Sequence, residues 1–167
     1  MKRNDIRRLV IISLLIGLNI VLSRLVSISN ASFKISLSFI TLVIAAYLYG
    51  PFYSCLVGGI GDLVGSLLFP IGAYNPLFTL TAMLSGLVYG IFLHKELKVK
   101  NIILSVLIDK LIVSVLINTF IISILSNVSF KALFLTRLHT NIIMIIIEIV
   151  VIISLEKFLM RLKKNNE

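Results

Sequence analysis

Apolar residues fall into six long runs, and the polar and charged residues collect between them. The first run goes from Leu9 to about Ile28. A shorter second one goes from about Ile35 to Tyr49 and stops at Gly50-Pro51, a helix-breaking pair. The third covers about Phe52 to Phe69 and the fourth about Leu77 to Leu93, with Pro70-Ile-Gly-Ala-Tyr-Asn-Pro76 as the turn between them. A charged connector, His94 to Lys100, leads to the fifth, about Asn101 to Leu125. The sixth runs from about Phe134 to Leu159, before a basic tail. About 20 consecutive apolar residues cross the hydrocarbon core of a bilayer as a helix. The pattern therefore predicts an all-α membrane protein, a six-helix transmembrane bundle forming one integral-membrane domain over residues 1–167. Five spans plus a re-entrant piece is the alternative, because the second run is short.

Composition sharpens this reading. Of 167 residues 59% are hydrophobic and 14% charged, with a mean hydropathy of +1.10. Soluble domains carry about 45–50% apolar and 25% charged residues. No small-x-small cleavage pattern follows the first run, which reads as a retained helix. Cys55 is the single cysteine, so no internal disulfide or cysteine-rich metal site is expected, and no cofactor or metal is called for. The net charge of +9 sits at the ends of apolar runs. That placement points to the cytoplasmic flanks of a membrane protein, not to nucleic acid.

Lysine and arginine set the orientation. With the N-terminus inside, the inner flanks hold Lys2, Arg3, Arg7, Arg8, Lys95, Lys98, Lys100, Lys157, Arg161, Lys163 and Lys164. The outer side holds Arg24, Lys34, Lys131 and Arg137, and Lys110 lies within the fifth run. The asymmetry predicts both termini in the cytoplasm, N-in/C-in.

The outer minority carries the candidate chemistry. Arg24 ends the first helix, Lys34 and Lys131 lie in outer loops, and Arg137 opens the last helix, with no acidic residue in any outer segment. Four cations at the mouth of a bundle concentrate anions and predict an anionic ligand. Taken singly, each fits a side chain snorkelling to lipid headgroups equally well. Tyr74, Phe78, Thr79 and Thr81 flank the same mouth. Asn118-Thr119 lies about two turns below the outer end of the fifth helix, at 1.5 Å per residue. Asn141 is expected about as deep on the sixth. Amides there can pair with the edge of a polar heterocycle and aromatics can stack on its face; hydrogen bonding between helices is the plainer alternative. Further in, Lys110 and Glu148 fall near one depth on consecutive helices and are expected to pair. Asp109 points about 100° away round the helix and would compete only if the helix turned.

The stretch from Gly58 to Phe92 sets Asp62, a row of glycines and two prolines into an apolar background. Small residues permit close helix packing, and a carboxylate at that depth needs an internal partner. Within it, Gly61-Asp-Leu-Val-Gly-Ser-Leu-Leu-Phe-Pro70, Tyr74-Asn-Pro-Leu-Phe-Thr-Leu-Thr-Ala82 and Gly86-Leu-Val-Tyr-Gly90 resemble the folate-specific S components of energy-coupling factor (ECF) transporters. Leu22-Ser-Arg-Leu, Lys34-Ile-Ser-Leu-Ser-Phe-Ile, Asn118-Thr and Arg137 extend the likeness over nearly the whole chain, in order. The resemblance implies a substrate-binding subunit in the cell membrane. It would capture folate at the outer face and dock on a transmembrane T subunit driven by two cytoplasmic ATPases, toppling to carry the vitamin inward. The chain has no Walker motif of its own, so ATP hydrolysis would belong to the partners. The resemblance also implies a docking stripe on the first helix, where the family carries small residues, usually alanine, four apart. Ser13 and Gly17 stand there, followed by Val21, and packing within the bundle is the alternative.

Folate chemistry agrees with the mouth. A flat pterin, an apolar aminobenzoate and a glutamate with two carboxylates need amides, aromatics and cations. Another anionic vitamin or precursor would need similar groups. The substrate-binding set expected on these grounds is Arg24, Lys34, Tyr74, Phe78, Thr79, Asn118, Lys131, Arg137 and Asn141. An alternative of another class is an intramembrane serine protease using Ser85 and His139. It lacks the Gly-x-Ser-Gly such a site needs, because Met83 holds the first glycine's position.

Overall fold

A computed structural model describes residues 3–29, 34–70, 74–94 and 96–164. Among these, six continuous helical rods follow one another. α1 is Arg3–Ile20 and runs on into a π-helical turn, Val21–Leu25. α2 is Phe39–Tyr49, α3 Pro51–Leu68 and α4 Pro76–Leu93. α5 covers Val99–Ser126; it is α-helical over Val99–Ile108, π-helical over Asp109–Ile117 and α-helical again over Asn118–Ser126. α6 is Phe130–Lys164. Between α1 and α2 the two-residue strands β1, Ile28–Ser29, and β2, Lys34–Ile35, pair antiparallel with Ile28 opposite Ile35.

Local chemistry sets these boundaries. Gly50 adopts φ 91°, a conformation that favours glycine, and Pro51 supplies the preset φ of a first helical position, so α2 turns into α3 over one residue. Asn75 caps α4, its side-chain oxygen accepting from the Leu77 N–H at 2.9 Å ahead of Pro76. Asn127, at φ 53°, closes α5 in the left-handed conformation. Three expected ends move. Ile28 lies in β1 and not in α1. α2 begins at Phe39 instead of Ile35, because Ile35 pairs in β2 and the Ser36 hydroxyl donates back to the Leu22 carbonyl at 3.1 Å. α6 begins at Phe130, so Lys131 stands in its first turn and Arg137 lies two turns in.

Among the described residues, four helices are long and apolar enough to cross a membrane. The 11 residues of α2 reach about 16 Å, roughly half a hydrocarbon core. α2 is wrapped by its neighbours, with Val43, Ala45 and Ala46 wholly buried. The surface is lined by Leu14, Phe52, Leu67, Ile91, Phe120 and Ile146, side chains suited to lipid.

α3 and α4 make the tightest contact. A Cβ on Gly58 would stand 2.4 Å from the Ala82 carbonyl oxygen, one on Gly86 2.3 Å from that of Ser54, and one on Gly90 2.1 Å from Pro51 Cα. The two backbones touch, as small residues permit in membranes. Two ends of the bundle follow. A hairpin end carries β1–β2 and the α3–α4 and α5–α6 turns; a corner end carries Gly50-Pro51 and the α4–α5 connector.

Candidate functional site

Three of the expected residues, Arg24, Tyr74 and Thr79, meet around Asp62 at the hairpin end. Arg24, in the π turn of α1, places Nη2 2.8 Å from Asp62 Oδ1 on α3; the two side chains are 10% and 19% exposed. Thr79 of α4 donates to the other oxygen, Asp62 Oδ2, at 3.0 Å, and the Tyr74 hydroxyl lies 3.4 Å from Thr79 Oγ1. Gly65, one turn on from Asp62, gives the guanidinium room, since a Cβ there would come within 3.2 Å of Arg24 Nε. This corrects the expectation of four cations without a counter-ion. Arg24 has Asp62, which lies outside the outer loops but reaches Arg24 from within α3.

Asn118 and Arg137 belong to the α4, α5 and α6 side of this end. Asn118 Oδ1 accepts from Thr81 Oγ1 at 2.8 Å. Arg137 reaches from α6 to α5, where Nη2 donates to the Ser114 carbonyl at 3.4 Å, and it has no carboxylate partner among the described residues. Arg24 Nε, Arg137 Nε and Thr119 Oγ1 are buried with no hydrogen-bond partner. Such orphans are uncommon in finished interiors and ask for a reason. Asn141 is buried, but its amide donates at 2.8 Å to the Arg137 carbonyl of its own helix. It also stands deeper than expected, because α6 starts four residues earlier than the apolar run. Phe78 is half-buried, and Lys131 is exposed. Lys34 has its backbone in β2, while its side chain lies outside the described residues, as do Lys2, Lys95 and the 71–73 part of the α3–α4 turn.

Asp62 and Thr81, both noted from the sequence, stand outside the expected substrate-binding set, yet the structure makes them functional candidates. Asp62 had a signal, a carboxylate inside an apolar helix; which cation it would meet depends on how α1 and α3 lie together.

A second polar cluster is buried nearer the corner end. Lys110 Nζ lies 2.7 Å from Glu148 Oε1, as their depth predicted. Asp109, expected to point away, is also a partner, with Oδ2 3.2 Å from the same ammonium. The Tyr89 hydroxyl of α4 completes the group, 2.9 Å from Glu148 Oε2 and 3.3 Å from Asp109 Oδ2.

Ser13, Gly17 and Val21 lie on the outward side of α1 and are all exposed. With Leu9, Val10, Leu14 and Leu18 they line a shallow apolar groove, and a Cβ on Gly17 would meet nothing within 4 Å. The stripe is thus not an internal packing seam. Ser85 is half-buried and His139 exposed, and no hydrogen bond joins them.

Four apolar spans, with charged and polar side chains turned inward, make this a multi-pass helical membrane protein. The chain belongs to the family of ECF transporter substrate-specific components, which matches residues 7–156. It is 34% identical over 160 residues to the folate transporter FolT of Clostridium novyi (strain NT), covering 95% of this chain and 93% of that protein. A folate transporter FolT of Leuconostoc mesenteroides subsp. mesenteroides is 37% identical over 92 residues, 55% of this chain and 49% of the relative. Among solved structures, the crystal structure of FolT bound with folic acid superimposes with a TM-score of 0.81 at 29% identity, covering 87% of this chain and 88% of the other. The family is one of transport proteins without enzymatic activity, which removes the protease alternative.

Proposed function

We propose that this chain is the folate-binding S component of an ECF transporter in the cell membrane. It works as one integral-membrane domain with both termini in the cytoplasm. It takes folate at the hairpin end, which faces outward, and hands it to a module of a T subunit and two cytoplasmic ATPases that docks on the Ser13, Gly17 and Val21 stripe.

The observation that carries the reading is Arg137. A guanidinium partly buried in an apolar bundle, its Nε without a partner and one long bond to a carbonyl, is expensive to leave uncompensated. A ligand carboxylate supplies the missing charge and the missing acceptor. Arg24 differs, since Asp62 already neutralises it. Arg24, Asp62 and Thr79 together offer donors and acceptors side by side, which suits a neutral heterocycle. Folate has both kinds of end, and it is the vitamin named for both relatives and for the solved structure.

The test is direct binding to the purified chain in detergent by calorimetry. Folate is expected to bind saturably and one-to-one, without ATP or metal, while thiamine, riboflavin and biotin do not. Folate binding no better than those vitamins would sink the proposal.

A further inference from the structure

α5 carries an irregularity that its apolar composition does not demand. It is π-helical from Asp109 to Ile117, and the Asn118 N–H closes the segment on the Val113 carbonyl, five residues back. π-helical turns are rare and mostly single, so a nine-residue run needs a cause.

The contacts at its two ends supply one. Asp109 meets Tyr89 of α4, and Asn118 accepts from Thr81, also of α4. In an ordinary α-helix nine steps of about 100° leave two residues on opposite sides of the rod. No straight α-helix presents both Asp109 and Asn118 to one neighbour. Wider turns absorb the difference and bring both round to α4.

The buried cluster anchors the corner-end side of this segment. Tyr89, Asp109 and Glu148 are 0%, 4% and 1% exposed. Tyr89 touches both carboxylates, and Lys110 lies against both. In apolar surroundings a charged group separated from its partners has nowhere favourable to go. Asp109 is therefore held against α4, and every residue after it inherits that angular setting.

We propose that Tyr89, Lys110 and Glu148 are positioning residues. By holding Asp109 they fix the π register of α5, and that register sets Asn118 against Thr81 and the Ser114 carbonyl within reach of Arg137. The inference rests on the hairpin end being the folate site; the cluster acts through the helix and not by touching folate.

Two measurements on the full chain in detergent separate the parts. Thr81→Cys with Asn118→Cys, in a Cys55→Ser background, reports the register by disulfide yield under mild oxidation, with no ligand present. Tyr89→Phe, the gentle variant, and Asp109→Asn, the harsher one, are each expected to lower that yield severalfold. In the otherwise unaltered chain the same two substitutions are expected to weaken folate binding on the order of tenfold, the scale of one lost buried hydrogen bond. Unchanged disulfide yield in monodisperse Tyr89→Phe protein would overturn the proposal. Lowered yield with folate affinity intact would overturn the link to the ligand. If the double-cysteine reporter forms the disulfide but the unaltered chain binds no folate, the folate reading would instead be refuted.

Discussion

Arg24 and Asp62, 38 residues apart in sequence, close an ion pair of 2.8 Å between α1 and α3. Both side chains are largely withdrawn from the surface, so removing one strands the other. Arg24→Ala or Asp62→Ala is expected to destabilise the subunit by about 3 kcal/mol, the low end for a buried pair because both keep some exposure. The double change to Met and Leu should be milder than either single one. Unfolding in detergent checks this, and losses that simply add would show that the pair is not coupled.

The three described cations of the hairpin end should matter unequally for folate. Arg137→Ala is expected to cost roughly 2–5 kcal/mol of binding, as for truncation of a buried charged contact, and Lys131→Ala far less, as for a rim charge. Arg24→Ala should fall between them. Calorimetry on the three variants gives the order. Equal affinities throughout would return all three to headgroup anchoring.

The arrangement of these side chains was only partly legible in the sequence. The six apolar runs, the Gly50-Pro51 corner and the meeting of Lys110 with Glu148 all follow from spacing, because depth along a helix is a matter of counting. The Arg24–Asp62 pair does not, since pairing between α1 and α3 depends on how helices that are not consecutive lie beside each other. The start of α2 had a usable signal: Ile35, Leu37 and Phe39 alternate with Ser36 and Ser38, the period of a strand and not of a helix. The π segment of α5 had none. After Asp109 and Lys110 it is Leu, Ile and Val but for Ser114, and only the two ends that must both face α4 demand the wider turn.

The outward groove on α1 predicts a separation of two activities. Gly17→Leu is expected to abolish complex formation with the ATPase module and folate uptake by cells, while folate binding to the isolated subunit stays within about twofold. A flat face of small residues permits close helix approach, and a leucine there removes it. Lost binding with assembly preserved would place the stripe inside the subunit instead.

Lys110 and Glu148 predict a rescue. Lys110→Met and Glu148→Gln should each destabilise the fold by about 3–5 kcal/mol, since each leaves a buried charge unpaired. The double variant should recover part of that loss, with Asp109 as the reason recovery is incomplete. Thermal unfolding of the three proteins decides it, and no recovery at all would mean the pair is not the unit that matters.

The glycine seam between α3 and α4 bears on how such a subunit can move. Helices usually slide past each other through small adjustments of the side chains packed between them. Here backbone rests on backbone at Gly58, Gly86 and Gly90, and there is no such layer to give way. We expect α3 and α4 to travel as one plank, with spin labels on the two helices reporting one distance in the free and folate-bound subunit. Asp62 and Thr79, one on each helix, would then keep their spacing while the subunit tilts. If the proposed site is right, half of it would be a fixed jaw, and release of the cargo would fall to the elements that close against it.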